Sequence, residues 1–263
     1  MRVGIAQTCP TFAERERNLR DAVDLLSRDV ADLWVLPEFF ASGYQFARSE
    51  EVRDLAEPVP DGPTVRALES FCQRHACFAG AGLPEAADGV VYNSAVLVGP
   101  RGFVSVYRKI HLFGEEKRWF APGDIPFSVH EAGAARVGVM ICFDHFFPES
   151  ARSLALLGAD ILAHPANLII PDLAQRTMTV RALENGVFAA TANRVGEESR
   201  TGKTLRYTGQ SQIVAPDGTA LVRLSPDRVE VAVVEVDPAT ARTKRLTSHN
   251  DKLGDRRPEF YRT

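Results

Sequence analysis

The chain has 263 residues, of which 45% are hydrophobic and 25% are charged, and its 31 basic and 34 acidic side chains give a net charge of −3 at pH 7. This composition is typical of a globular domain and excludes the disordered, collagen-like and disulfide-scaffold classes. The balanced charge gives no electrostatic reason to expect a nucleic acid or an anionic membrane as partner, and no apolar run approaches the ~20 residues that a membrane-spanning helix needs.

Strand signals and helix signals alternate along the whole chain. Strands are predicted over residues 3–7, 33–36, 77–81, 94–98, 103–107, 137–142, 161–163, 187–192, 210–215, 220–224 and 229–236. Residues 3–7 alternate as a half-buried strand does. Helices are predicted from a capping box at Thr11 and Glu14 through Val30, from Pro63 through His75, over 148–157 and over 173–185. The polar residues 196–206 predict a loop.

This alternation, without a repeat or a linker, predicts a single α/β domain over residues 1–263 whose helices cover sheets from outside. The last segment, residues 242–263, is rich in charge but carries Phe260 and Tyr261. A free tail does not need two aromatic side chains, so we expect this tail to dock at the interface with a second subunit.

The N-terminus and the cysteines indicate the compartment. The first ten residues are too short and too alternating for a signal peptide. The four cysteines are Cys9, Cys72, Cys77 and Cys142, and they show no paired spacing. A reducing cytoplasm is therefore the expected location. A bridge between Cys72 and Cys77 remains an alternative.

Cys142 has a setting that suggests chemistry. It ends an apolar strand and precedes the helix that begins at Pro148, and ligands of open α/β sheets bind at the carboxyl ends of strands. The turn over residues 143–147 could present the thiol to a pocket, with backbone N–H groups free to hold an oxyanion. The other three cysteines fit small buried core residues.

Two sets of residues could activate this thiol. One is a histidine, His145 or His164, which together with Asn167 would form a Cys-His-Asn arrangement. The other is a carboxylate with a lysine. The sequence alone leaves both possibilities open.

Glu38 and Lys109 are the candidates for the carboxylate and the lysine, because each directly follows a predicted strand. Glu38 lies among proline and aromatic residues, where a buried anion is costly and a raised pKa indicates a function. The ammonium of Lys109 could pair with a carboxylate and stabilise an oxyanion. Either residue alone would fit a surface salt bridge. Together with Cys142 they supply the residue types that cysteine-based acyl transfer requires.

Other motifs favour structural roles. Gly80-x-Gly82 lacks the third glycine of a dinucleotide loop. Cys72, His75 and Cys77 are metal-ligating types without a fourth partner nearby, which favours core packing over zinc. We therefore expect neither a cofactor nor a metal.

Three segments resemble the signatures of the nitrilase, or carbon–nitrogen hydrolase, superfamily, in the family's order. They are Leu36-Pro37-Glu38, Tyr107-Arg108-Lys109-Ile110-His111-Leu112 and Ile141-Cys142-Phe143-Asp144, and Tyr92-Asn93-Ser94-Ala95 looks like a further family segment. The resemblance covers nearly the full chain. It implies a four-layer α-β-β-α sandwich, assembled as a homodimer or a higher homo-oligomer. It also implies that Cys142 is the nucleophile, Glu38 the general base and Lys109 the oxyanion stabiliser.

The resemblance implies a second glutamate six residues before a Pro-Gly pair. Here Pro122-Gly123 places it at Glu116, with Glu115 adjacent as the alternative. That glutamate would orient Lys109 and the substrate. The residues expected to bind the substrate are Tyr44, Phe143, Phe146 and Asn167.

Two departures from the family pattern bear on the substrate. Phe143-Asp144 occupies the place where strict nitrilases tend to have Trp-Glu, which favours an amide or carbamoyl substrate. Phe146 occupies the place of an arginine found in many members that bind carboxylate substrates, so we expect an aromatic pocket there. The chain therefore looks closer to the amidase and carbamoylputrescine-amidase-like branch.

The expected activity is hydrolysis of small amides or carbamoyl amines through a cysteine thioester, with release of ammonia. One alternative is a nitrilase that converts small aliphatic nitriles to acids with the same residues. Another, from a different class, is a catalytically silent member that acts as a binding or assembly module.

Overall fold

The computed structural model describes residues 1–262, which form two six-stranded mixed sheets, a two-stranded ribbon and flanking helices. In chain order the strands are β1 (Arg2–Gln7), β2 (Leu33–Val35), β3 (Phe78–Ala87), β4 (Val90–Gly99), β5 (Gly102–Arg108), β6 (Val129–Ala132), β7 (Ala135–Val139), β8 (Ile161–Pro165), β9 (Phe188–Ala192), β10 (Glu197–Ser199), β11 (Thr204–Arg206), β12 (Gln212–Val214), β13 (Ala220–Arg223) and β14 (Glu230–Glu235).

The α-helices are α1 (Arg15–Leu26), α2 (Ser49–Leu55), α3 (Pro63–His75), α4 (Glu116–Trp119), α5 (Pro148–Leu156), α6 (Leu173–Asn185) and α7 (Ala239–Arg242). Two short 3₁₀ helices cover Cys142–Phe146 and Pro258–Phe260. No helix within residues 1–262 is long and apolar enough to cross a membrane.

The two sheets pack face to face, and helices cover their outer faces. The strand orders are β14-β1-β2-β3-β4-β5 and β13-β12-β9-β8-β7-β6. One core lies between the sheets and includes Val3, Ile5, Val35, Val137, Ile161 and Ala190. A second core joins the first sheet to α1 and α3, and a third joins the second sheet to α5 and α6. This arrangement confirms the predicted four-layer α-β-β-α architecture.

The prediction that residues 3–7 form a half-buried strand was wrong, because β1 is buried on both faces. Val3 and Ile5 belong to the core between the sheets, whereas Ala6 belongs to the core beneath the helices. Strands covered on both faces do not need the apolar–polar alternation of a solvated sheet. The buried Gln7 is accommodated because its amide nitrogen donates to two backbone oxygens, each at 2.8 Å.

The prediction of a loop over residues 196–206 was also wrong, because β10 and β11 pair there as an antiparallel ribbon. The ribbon is polar because it does not pack a full face on a core. Glu198 anchors it through a buried ion pair with Arg194, at 2.5 Å. The polar composition of this segment therefore predicted a loop, although an ion pair holds two paired strands in place there.

Both ends of α1 and several short elements differ from the sequence expectations. The capping box at Thr11 and Glu14 is absent from the described structure, and Asn18 instead exchanges two hydrogen bonds with the backbone of Thr11, at 2.9 and 2.7 Å. Helix α1 ends at Leu26 rather than near Val30. The short elements α2, α4 and β6 were not predicted, because none shows a full period of apolar residues.

The C-terminal segment packs on the end of α6. Lys244 and Lys252 donate to backbone oxygens there, at 2.8 and 2.7 Å. Phe260 and Tyr261 remain 72% and 52% exposed. Docking of residues 242–263 at a dimer interface stays a prediction, and Thr263 lies outside the described residues.

Candidate active site

The first sheet brings two candidate residues to one edge. Strand β2 is parallel to β3, and β5 runs in the same direction because two antiparallel pairings separate it from β3. Glu38 follows β2 and Lys109 follows β5, so both lie at the carboxyl ends of co-directional strands. Residues far apart along the chain are thereby placed side by side.

A glycine on β3 makes room for the turn at Glu38. A Cβ at Gly82 would lie 2.5 Å from the Cα of Glu38, which is too close for any other residue. The next residue, Phe39, has a positive φ of 52°. Gly82 therefore serves close backbone packing beside the candidate site.

The carboxylate of Glu38 is fully buried, and within residues 1–262 only one of its two oxygens accepts hydrogen bonds. Its Oε1 accepts hydrogen bonds from Lys109 Nζ at 2.8 Å and from Asn93 Nδ2 at 2.7 Å. Its Oε2 is buried and has no hydrogen-bond partner among the described residues. One oxygen is thus fixed in place, and the other keeps an unused capacity to accept a hydrogen bond or a proton.

Lys109 bridges two buried carboxylates. Its Nζ lies 2.8 Å from Glu38 Oε1 and 2.8 Å from Glu116 Oε1. Glu116 also accepts from the Tyr44 hydroxyl at 2.7 Å and, through Oε2, from the backbone N–H of Phe113 at 3.0 Å. The structure thus brings together Glu38, Lys109 and Glu116, and it places the Tyr44 hydroxyl on Glu116.

The neighbouring Glu115 points elsewhere. It pairs with Arg118 at 2.7 Å, and its side chain is 68% exposed. An ion pair of this kind at the surface contributes little free energy. Of the two adjacent glutamates, Glu116 is therefore the one that contacts Lys109.

Cys142 lies beyond the end of β7 in a strained turn. Its φ is +40°, a conformation that residues other than glycine rarely adopt, and it begins the 3₁₀ helix Cys142–Phe146. Asp144 stabilises this turn because its Oδ2 accepts from the backbone N–H of Ile141 at 2.8 Å and from the Tyr107 hydroxyl at 2.8 Å. Strain held by surrounding contacts is characteristic of functional positions.

The charges of this cluster act on one another. Burial raises the pKa of Glu38, and the ammonium of Lys109 only partly opposes that shift. Burial by itself would lower the pKa of Lys109, but the carboxylates of Glu116 and Glu38 raise it and keep the ammonium charged. Burial, reinforced by the charge of Glu38, raises the pKa of the Cys142 thiol. The thiol is therefore neutral at pH 7 in the free protein.

Two cavities meet at this cluster. The inner cavity has a volume of about 40 Å³ and is lined by Phe113, Cys142, Phe143, His145, Asn167, Leu168, Ile169, Ile170, Leu173 and Ala174. The outer chamber has a volume of about 390 Å³, and its walls include Tyr44, Phe113, Glu115, Glu116, Ile169, Thr201, Lys203 and Leu205.

The predicted substrate-binding residues are divided between these spaces. Phe143 and Asn167 line the inner cavity, and Tyr44 lines the outer chamber. The amide of Asn167 is buried without a hydrogen-bond partner among the described residues, and its backbone oxygen lies 3.9 Å from Cys142 Sγ. Phe146 lines neither space. Its side chain is 50% exposed and its ring centroid lies 5.7 Å from that of Phe143.

The side chains of His145 and His164 form hydrogen bonds with hydroxyl and backbone groups rather than with the Cys142 thiol. His164 Nε2 donates to the backbone oxygen of Cys142 at 2.9 Å, and its Nδ1 lies 3.0 Å from the Thr191 hydroxyl. His145 Nδ1 lies 2.6 Å from the Thr177 hydroxyl. In the described residues neither ring forms a hydrogen bond with Cys142 Sγ, so the geometry does not favour the Cys-His-Asn interpretation.

These histidines should make the fold sensitive to acid. Burial lowers the pKa of His145 to about 3 and that of His164 to about 4, whereas the unfolded chain protonates histidine near pH 6.5. The unfolded state therefore binds more protons below about pH 6.5, and we expect the free energy of unfolding to fall as the pH decreases from there toward 4.

Urea unfolding at pH 7 and pH 5 measures this effect. The His164→Gln variant should lose less stability than the wild type between the two pH values. The exposed His249 provides the control, since His249→Gln should keep the wild-type pH dependence. An unchanged pH dependence in His164→Gln would contradict the assignment of this effect to the buried ring.

Sequence reasoning gave no role to two residues that hold the site together. Asn93 holds Glu38 through a hydrogen bond. The sequence feature that could have indicated this role is an asparagine beside an apolar strand, where asparagine is normally depleted. Asp144 was considered only as a marker of substrate class, although it organises the turn at Cys142. Within residues 1–262 no group of three or more His, Cys, Asp or Glu side chains could hold a metal ion.

Comparison with known proteins gives three findings. The family model described as carbon-nitrogen hydrolase matches residues 2–246. A Pyrococcus abyssi protein named "Nitrilase" is 47% identical over 264 residues, which cover 99% of this chain and 99% of that protein. A Pseudomonas sp protein named "(R)-stereoselective amidase" is 33% identical, with 98% and 92% of the two chains covered.

A solved structure is similar over almost the whole fold. It is a mutant of the amidase from Nesterenkonia sp. AN1 in which acrylamide has undergone Michael addition at the active-site cysteine. Its TM-score is 0.80 at 26% sequence identity, and the match covers 98% of this chain and 97% of that one.

Proposed function

Because the chain belongs to the carbon–nitrogen hydrolase family, we propose that it hydrolyses small aliphatic nitriles to acids, with Cys142 as the nucleophile. The observation that carries this proposal is the buried cluster in which Lys109 contacts Glu38 and Glu116 while one oxygen of Glu38 is unpaired. The choice of nitriles rests on the 47% identity to a protein named "Nitrilase".

Formation of a covalent intermediate is the first step. The Cys142 thiol is neutral because burial raises its pKa, so its proton moves to Glu38 as the sulfur attacks the nitrile carbon. Lys109 stabilises the negative charge that develops on the nitrile nitrogen. Protonation of that nitrogen by Glu38 gives a thioimidate, in which Cys142 sulfur is bonded to the former nitrile carbon.

Hydrolysis of the intermediate needs two water molecules. Glu38 takes a proton from the first water as its oxygen adds to the thioimidate carbon, which gives a tetrahedral intermediate. The nitrogen takes one proton from Glu38 and one from the added hydroxyl group, so ammonia leaves as the carbonyl of a thioester forms. The second water then cleaves the thioester to the acid and restores the thiol. One carboxylate thus acts in turn as base and acid, a role that suits the raised pKa of Glu38.

Each remaining residue of the cluster has a positioning role. Asn93 holds Glu38 Oε1 so that Oε2 faces the reacting atoms, and Glu116 holds Lys109 in place. The backbone N–H near Phe143 is positioned after the strained Cys142 to help hold an oxyanion.

Amides are the second candidate substrates. Attack of Cys142 on an amide gives directly the tetrahedral intermediate that nitriles reach after one hydration, so the same residues serve both reactions. The 33% identity to a protein named "(R)-stereoselective amidase" supports this candidate, as does Phe143-Asp144 in place of Trp-Glu.

A panel of aliphatic nitriles, amides and carbamoyl amines, followed by ammonia release and identification of the acid, tests the proposal. We expect kcat/KM to be higher for nitriles than for the corresponding amides. Turnover restricted to amides or carbamoyl amines would overturn the nitrile assignment and favour an amidase. Absence of both turnover and a Cys142 acyl adduct in mass spectra would identify a catalytically silent member.

A further inference from the structure

The inner cavity and the outer chamber share two wall residues. Phe113 and Ile169 line both spaces, whereas Cys142 lines the inner cavity alone and Glu116 the outer chamber alone. Because Lys109 contacts Glu116 at 2.8 Å, the catalytic cluster lies across the boundary between the two spaces. A substrate at Cys142 therefore lies next to this shared wall.

The inner cavity is too small for a large acyl group. Its volume of about 40 Å³ accommodates only a few water-sized groups. Apart from Cys142, His145 and Asn167, the residues that line it are apolar and include Leu168, Ile170, Leu173 and Ala174. A substrate that exceeds this volume can extend past the shared wall into the adjoining chamber of about 390 Å³.

We propose that Ile169 sets the upper limit on acyl-group size by separating the inner cavity from the outer chamber, an inference that rests on the proposed function. The side chain of Ile169 is partly buried and lies on the segment between β8 and α6. Residues next to it anchor that segment, because Leu168 N donates to Asn193 Oδ1 at 2.8 Å and Leu168 O accepts from Thr208 N at 2.9 Å. The wall is therefore held in place by its backbone.

Phe113 is less suited to this role because it is tied to the catalytic cluster. Its backbone N–H donates to Glu116 Oε2 at 3.0 Å, and its ring packs edge-on against Phe143 with centroids 5.1 Å apart. Substituting Phe113 would disturb Glu116 as well as the wall. The aliphatic side chain of Ile169 forms no hydrogen bond, so its substitution changes the wall alone.

The test measures kcat/KM for a series of unbranched nitriles and amides from two to six carbons. Ile169→Ala should raise the ratio of kcat/KM for the longest over the shortest substrate by about 10-fold or more, the discrimination that one or two methylene groups provide in an apolar pocket. Ile169→Phe should lower the same ratio. The matched control is Ile125→Ala, which removes an identical, partly buried side chain that lines neither space and should leave the ratio nearly unchanged.

A second measurement does not depend on turnover. The rate at which N-alkyl iodoacetamides of increasing chain length alkylate Cys142, followed by mass spectrometry, should rise for long reagents in Ile169→Ala relative to the wild type. An equal gain in Ile125→Ala, or unchanged length dependence of both turnover and alkylation in Ile169→Ala, would overturn the inference. Absence of wild-type turnover with the expected alkylation pattern would instead refute the proposed function while supporting Ile169 as the size limit.

Discussion

Replacing Cys142 with alanine should abolish turnover of every nitrile and amide while leaving the fold intact. Cys142 is the only cysteine among the described residues that lines either cavity, so no other thiol is placed to form the proposed thioester, and removing a catalytic nucleophile costs on the order of 10⁵-fold or more in kcat. The fold should tolerate the change because alanine keeps the Cβ, and because Asp144 holds the turn through Ile141 N and the Tyr107 hydroxyl. Ammonia release measures the activity, and urea unfolding measures the stability.

The exposed Cys9 supplies the control for this experiment. Cys9 lies outside both the inner cavity and the outer chamber, so Cys9→Ala should retain wild-type turnover. Iodoacetamide should modify the active site of Cys9→Ala and inactivate it, whereas Cys142→Ala has no catalytic thiol to lose. Turnover above about one per cent of wild type in Cys142→Ala would show that another residue carries the reaction.

Replacing Lys109 with methionine should impair both catalysis and stability. In the proposed mechanism the variant loses the cation that stabilises developing charge, which costs about 3 kcal/mol or more in the transition state. It also leaves Glu38 and Glu116 buried without their shared counter-charge, and breaking a buried ion pair costs about 3–5 kcal/mol of folding free energy. The pKa of Glu38 would rise further, because the ammonium that opposes the effect of burial is gone.

Two further variants separate these effects. Lys117→Met removes an exposed lysine from α4, the short helix that carries Glu116, and should change neither kcat/KM nor the urea midpoint. Lys109→Met combined with Glu116→Gln removes one of the two unpaired charges, so it should be more stable than Lys109→Met alone while remaining inactive. If Lys109→Met were as stable and active as the wild type, the buried cluster would not have the energetic or catalytic role assigned to it.

The sequence was sufficient to select Glu38, Lys109 and Cys142 as candidates, because each directly follows an apolar strand and bears a reactive side chain. It was also sufficient for the layered α/β architecture, since the spacing of apolar residues reports which face of a helix or strand is buried. The catalytic roles of these residues are proposals, and Cys142→Ala and Lys109→Met test those of Cys142 and Lys109.

Local sequence was misleading where tertiary contacts replace a local pattern. Residues 196–206 are polar, yet they form a ribbon because Glu198 pairs with the buried Arg194. Phe146 follows the nucleophile closely, but its side chain points away from the inner cavity and is half exposed. His145 and His164 were plausible partners for the thiol, and the structure gives them hydroxyl and backbone partners instead.

By itself, then, the sequence determined which residue types stand at the strand ends and which faces of the elements are apolar, because both are properties of neighbouring residues. Only the tertiary structure decided that Glu116 rather than Glu115 contacts Lys109, that Asn93 holds Glu38, and that a small cavity at Cys142 adjoins a larger chamber. The physical reason is that charge pairing, burial and cavity volume depend on distances between segments tens of residues apart, and no local pattern of residues encodes those distances.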